Sequence, residues 1–157
     1  MIVREPGGVA PERGGVGLPV TRRSCCHAGM LERLRDVLRT AKTSRILTRG
    51  IKAYREGDLA DARAALDQVL AATEAGGAAS QRTHRQSVRL IAVTLRAEVA
   101  AKQGDDGAAR ASIEEGLALW AEAQAHPASI GVRSVEAFSS WERWARGWLE
   151  RAGPRPG

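Results

Sequence analysis

The sequence predicts an all-α protein, and three observations carry that expectation. Ala, Leu, Arg and Glu dominate the composition, and aromatic residues make up only 4% of it; these are the residues that lose least on entering a helix. Beyond Met30, apolar side chains recur at spacings of three and four, the period of one helical face. Two Gly-Asp pairs, Gly57-Asp58 and Gly104-Asp105, interrupt that pattern in the way a helix C-cap followed at once by an N-cap does. A chain of 157 residues fits one domain around one core.

Residues 1–29 hold Pro6, Pro11 and Pro19 with Gly7, Gly8, Gly14, Gly15 and Gly17. They show no helical or strand period, so this segment is expected to be disordered. The pattern changes abruptly at Met30, which is equally compatible with translation starting there and 1–29 being an over-extended frame. A domain is expected over 30–151, with a flexible tail at 152–157.

Six helices are expected within that domain. The first, about 30–42, aligns Leu31, Leu34, Leu38 and Ala41 on one face. Thr43 or Ser44 then offers a hydroxyl to cap a second helix of about 45–56 that presents Leu47, Ile51 and Tyr54. Gly57 ends it and Asp58 caps a third, about 59–74, facing inward with Ala62, Leu66, Val69 and Leu70. Gly76 and Gly77 break the chain, and Ser80 can cap a fourth helix of about 81–103 bearing Val88, Ile91, Leu95 and Val99. Gly104 stops that helix. Asp105 or Asp106 caps a fifth, about 107–125, with Ala109, Ile113, Leu117 and Trp120 inward. His126-Pro127 closes it, because the residue before proline avoids the helical region. The sixth, about 130–151, carries Val135, Phe138, Trp141, Trp144, Trp148 and Leu149.

The net charge is +6, and Lys42, Lys52 and Lys102 are the only lysines among 24 basic residues. An arginine excess of this kind reflects either genomic composition or attraction to anionic partners, nucleic acid included. Cys25 and Cys26 are adjacent, so they imply no disulfide framework. Together with His27 they could begin a metal site, but no second ligand cluster follows where four ligands are usual; no metal or cofactor is expected. No apolar run approaches the roughly 18 residues that span a bilayer, and no secretory leader is visible. A cytoplasmic location is expected. Gly14-Gly15-Val16-Gly17 lacks the Lys-Ser/Thr of a phosphate loop, and Asp105-Asp106 and Glu114-Glu115 read as solvated or dipole-compensating charge. No nucleophile–base pattern is present, so no catalytic residues are assigned and the chain is not expected to be an enzyme.

The two Gly-Asp units align without a gap: Ala62 with Ala109, Leu66 with Ile113, and Leu70 with Leu117. Small residues precede them at Gly50 and Ala97, and Val69 aligns with Gly116. With small residues at the helix crossings, Gly-Asp at the turn and Ala early in the second helix, the chain resembles the tetratricopeptide repeat family over about 45–74 and 92–122. It departs from the family pattern where Ile46 and Val93 replace its tryptophan and no proline closes the first unit. The two turns also lie 47 positions apart, against a usual repeat of about 34, the extra residues falling in 74–86.

The resemblance implies a fold of antiparallel helix hairpins and a protein–protein interaction module. In that family the first helix of each unit lines a groove. Leu47, Thr48, Ile51, Tyr54 and Arg55 would then face a peptide from the first unit, and Leu95, Glu98 and Lys102 from the second. Arg55 and Lys102 are equivalent positions, which favours an acidic peptide or protein. Two further surfaces stand out. Arg82, Arg85, Arg89 and Arg96 form a basic stripe, read either as solvated charge or as a clamp for carboxylate or phosphate. Phe138, Trp141, Trp144 and Trp148 form an apolar face, read as a lid over the last hairpin, as a partner or homodimer surface, or, with Arg143, Arg146 and Arg151, as a membrane-surface helix. The alternatives in function are a basic helical nucleic-acid-binding protein and a small helical enzyme without a recognisable motif.

Overall fold

The computed structural model describes residues 24–74, 82–125 and 132–154, with side chains from Leu38 onward in the first helix and from Val135 onward in the last. Among the described residues there are five helices and no strand: α1 Ser24–Glu56, α2 Leu59–Glu74, α3 Arg82–Gln103, α4 Asp106–Ala125 and α5 Val132–Ala152. Each packs on its neighbour in the chain, and α3 also touches α1. The glycine pair 76–77, Ser80 and His126-Pro127 lie outside the described residues, as does everything before Ser24.

The expected first and second helices are one continuous helix, which makes five helices rather than six. Thr43 does not cap a new helix. Its hydroxyl donates to the Arg39 carbonyl one turn back at 2.9 Å, and Thr48 does the same to Ser44 at 2.9 Å. This back-bonding lets a hydroxyl residue sit inside a helix at small cost, and no glycine or proline between Met30 and Arg49 forces a break. The helix also starts at Ser24, ahead of Met30.

The break in apolar pattern that suggested two helices has a different cause. At 33 residues α1 is about 50 Å long, whereas α2, with 16 residues, reaches only about 24 Å. Packing against α2 therefore involves the C-terminal half of α1, where Leu47, Gly50 and Ala53 are buried. The face expected to be buried in the N-terminal half is not: Leu38 is 61% exposed and Ala41 is exposed too.

Both Gly-Asp turns adopt the same structure. Gly57 and Gly104 take positive φ of 82° and 72°, a conformation in which a Cβ would be strained. Asp58 N–H donates to the Ala53 carbonyl and Gly57 N–H to Tyr54; Asp105 and Gly104 repeat this with Ala100 and Ala101. This double bond satisfies the last carbonyls of a helix. Each aspartate then caps the next helix: Asp58 Oδ1 accepts from Asp61 N–H at 3.0 Å, and Asp105 Oδ1 from Ala108 N–H at 3.0 Å.

The core is built largely from small side chains. One cluster joins Leu47, Ala53, Ala62, Leu66, Val69, Leu70, Val88, Ala92, Val93 and Val99 across α1, α2 and α3. A second joins Ala97, Ile113, Trp141 and Ala145 across α3, α4 and α5. Because α3 is flanked on both sides, its buried surface is wider than the single stripe expected. Val88 and Val99 are buried, but so are Leu90, Ala92, Val93, Ala97 and Ala100, while Ile91 and Leu95 stay partly exposed. Small residues let the helix axes approach closely. A Cβ on Gly50 would sit 3.3 Å from that of Ala65, and one on Gly116 only 2.6 Å from the Trp141 ring.

Candidate interaction surface

The residues expected to line a groove separate into three groups. Leu47 is buried at 8% exposure and supports the surface rather than forming it. Thr48 and Arg55 are exposed, and Ile51 and Leu95 are half-buried against the first core cluster. Tyr54, Glu98 and Lys102 come together and tie α1 to α3. The Tyr54 hydroxyl donates to the Glu98 carboxylate, and the Lys102 ammonium lies over the Tyr54 ring, 4.2 Å from its centroid. Such a contact is favourable because the ring face carries negative charge. Burial, followed by the bond to Glu98, pushes the phenol above its ordinary pKa. The Lys102 ammonium is likewise held above its usual value, chiefly by Tyr54 and then by the charge of Glu98. Arg55 and Lys102 hold equivalent places in the two units but not equivalent surroundings: Lys102 has an aromatic and an acid beside it.

The basic stripe on α3 is drawn inward. Arg89 pairs with Glu115 of α4 at 2.6 Å and with Glu74 of α2 at 3.5 Å. Arg96 donates to Ser112 Oγ at 3.0 Å and lies 3.5 Å from Asp67 and 3.6 Å from Glu115. Ser112 is fully buried and donates in turn to the Ala108 carbonyl at 2.8 Å. Arg89 and Arg96 thus stitch α2, α3 and α4 together instead of standing free as a clamp. Arg82 is exposed and Arg85 is half-buried. Of the acids that receive the stripe, Glu115 read from sequence as solvated or dipole-compensating charge and is instead half-buried against Arg89 and Arg96; Asp67 and Glu74 were not singled out, although a signal was there. Asp67 and Glu74 are spaced by seven, as are Arg89 and Arg96, and the pairs run in opposite directions along two neighbouring helices.

The aromatic face of α5 packs on α4. Trp141 is buried with its ring in the space left by Gly116. Phe138 meets Trp120 with ring centroids 5.3 Å apart, and Trp120 Nε1 donates to Glu142 at 2.9 Å. Trp144 lies 6.4 Å from Trp141, and Trp144, Trp148 and Leu149 pack at the edge of the second cluster, partly exposed. The Arg110 guanidinium bonds the Gly153 carbonyl beyond the helix end. Val135 remains 41% exposed. The side chains of Cys25, Cys26 and His27 lie outside the described ones. No group of three or more potential ligands that could hold a metal occurs among the described residues, and no described helix is long and apolar enough to cross a membrane.

No protein-family model matches this chain, and neither a curated protein nor a solved structure matches it significantly.

Proposed function

We propose that this chain is a non-catalytic protein-interaction module of tetratricopeptide-like hairpins, binding a peptide or helix along the face shared by α1 and α3. The observation that carries this reading is the duplicated turn. Two identical cap structures follow α1 and α3, and the small residues before and after each turn are buried at the same places: Gly50 and Ala97, Ala62 and Ala109. The two first helices are then equivalent, and the Tyr54–Glu98–Lys102 contact joins them on one surface. Beside it lie exposed Thr48 and Arg55 and half-exposed Ile51 and Leu95. A partner would meet an apolar strip with Arg55 at one end, which suits an acidic side chain there. The nucleic-acid alternative rests on the α3 stripe, and Arg89 and Arg96 are engaged with acids of α2 and α4.

The test is capture from native lysate by the full chain, with and without nuclease, beside an Arg55→Ala/Lys102→Ala variant. A discrete protein that survives nuclease and is lost in the variant is the expected result. A capture that nuclease abolishes, or one indifferent to both substitutions, refutes the reading.

A further inference from the structure

We infer that the joint between α3 and α5 is an anchoring notch, one that takes an aromatic side chain and a neighbouring carboxylate from the partner peptide. The inference rests on the reading above for the groove along α1 and α3, and it extends that groove by one helix. A third turn carries the extension. Gly153, just past the end of α5, takes a positive φ of 70°, as Gly57 and Gly104 do. An arginine at the same place in each second helix reaches forward to the next turn. Arg63 of α2 donates to Gln103 at 3.2 Å and to Asp105 at 2.9 Å, on either side of Gly104. Arg110 of α4 donates to the Gly153 carbonyl. The packing keeps the same register. Val69 and Ala92 share the first cluster. Gly116 and Trp141 hold their places one unit on and meet, with the bulk moved from the second helix to the first. So α5 is set on α4 in the register in which α3 is set on α2.

Counted back from the turn glycine, the residues that tie α1 to α3 have counterparts that leave the second joint open. Ala101 stands for Tyr54, Gly147 for Glu98 and Arg151 for Lys102. At the first joint the cation lies over a ring and that ring is bonded to an acid. At the second, a methyl group replaces the ring, a hydrogen replaces the acid, and the cation remains. A Cβ on Gly147 would meet the Arg151 guanidinium at 3.3 Å and no atom of α3 within 4 Å. Arg151 is exposed and has no acidic partner among the described residues. Trp144, at the place of Leu95, and Trp148 are half-buried. With Gly147 and Arg151 they lie within about 100° around the helix. The missing groups indicate the occupant. A guanidinium is favoured over an aromatic face and binds carboxylate through paired hydrogen bonds, while half-buried indoles pack well on a ring. A peptide with an aromatic residue beside Glu or Asp supplies what Ala101 and Gly147 omit.

The probe is a short acetylated peptide with tyrosine between two glutamates in an alanine–serine background, titrated into the isotope-labelled full chain. The four tryptophans give separate indole N–H signals in nuclear magnetic resonance, assigned by single Trp-to-Phe replacements. The signals of Trp144 and Trp148 should move and that of Trp120 should stay. Replacing the peptide's tyrosine by alanine, or its glutamates by glutamine, should weaken binding at least about tenfold, and so should Arg151→Ala in the protein. Gly147→Glu puts an acid one turn before Arg151. It should block the peptide while leaving the urea midpoint unchanged or raised, since glycine is the poorer helix former. Signals that do not move, or that move as before in both Arg151→Ala and Gly147→Glu, overturn the inference. So does self-association in sedimentation that depends on Trp144, or an oligonucleotide that shifts the same signals, while the peptide does not. Binding lost in Arg55→Ala/Lys102→Ala but intact in Arg151→Ala overturns the notch and leaves the groove on α1 and α3 standing. Binding lost in Arg151→Ala but intact in that double variant supports the notch and removes the groove.

Discussion

Gly116 faces the Trp141 ring so closely that adding one methyl group should change sign with its neighbour. A Cβ there would meet the ring at 2.6 Å and two further ring atoms at 3.1 and 3.4 Å. Trp141 is buried and lies across the contact between α4 and α5, so the methyl can be housed only by moving the ring or the helix. Overpacking of this kind costs about 1–3 kcal/mol. Against it, Ala gains about 1 kcal/mol over Gly inside a helix. Gly116→Ala should therefore destabilise by up to about 2 kcal/mol. Trp141→Ala alone should cost about 3–5 kcal/mol through the cavity it leaves. In that background the obstruction is gone, so Gly116→Ala should now stabilise by up to about 1 kcal/mol. The cycle then gives a coupling of about 1–3 kcal/mol between the two sites. Gly147→Ala is the control. Its methyl would meet only the far end of the Arg151 side chain at 3.3 Å, so it should be neutral or stabilising in both backgrounds. Urea unfolding followed by far-ultraviolet circular dichroism measures all of these. If Gly116→Ala has the same sign with and without Trp141, close packing of α5 on α4 is not what requires glycine at this position.

Two further outcomes follow from the polar contacts. Glu115 receives both Arg89 and Arg96 at the junction of α2, α3 and α4; Glu115→Gln should lower stability by about 1 kcal/mol and reduce the salt dependence of the urea midpoint, and an unchanged midpoint would mean the network is not stabilising. Arg146, then Trp120, hold the Glu142 carboxyl below its ordinary pKa, and the Ala108 amide, then Arg63, do the same for Asp105. Both groups bind protons more weakly when folded, so their contribution is full above the ordinary carboxylate range and is lost as pH falls from that range through the lowered values of the folded state. The urea midpoint should drop over that window, and Glu142→Gln should flatten the drop; a midpoint insensitive to pH there would contradict the assignment.

Local chemistry in the sequence was enough for the helical class, the two turns and the buried stripe of α2. Gly57, Asp58, Gly104 and Asp105 declare their caps because a positive φ and a short side-chain acceptor are needs of the backbone itself. Ala62, Leu66, Val69 and Leu70 are read correctly because α2 buries a single stripe, and a single stripe has a period. Periodicity says that residues share a side of a helix, but not whether anything lies on that side. Leu31, Leu34, Leu38 and Ala41 have as regular a pattern as the core of α2, yet Leu38 and Ala41 are exposed because they lie on the side of α1 opposite Leu47 and Gly50, which face the core. The same limit hid the continuity of α1: two stripes on opposite sides look like two helices until the backbone connects them. Only the tertiary structure decided which charges were available. Arg89 and Arg96 form an open stripe on an isolated helix and become internal ties once Asp67, Glu74 and Glu115 arrive from neighbouring helices. The need for glycine at position 116 is likewise invisible along the chain, because the ring that excludes a side chain there comes from a residue in another helix.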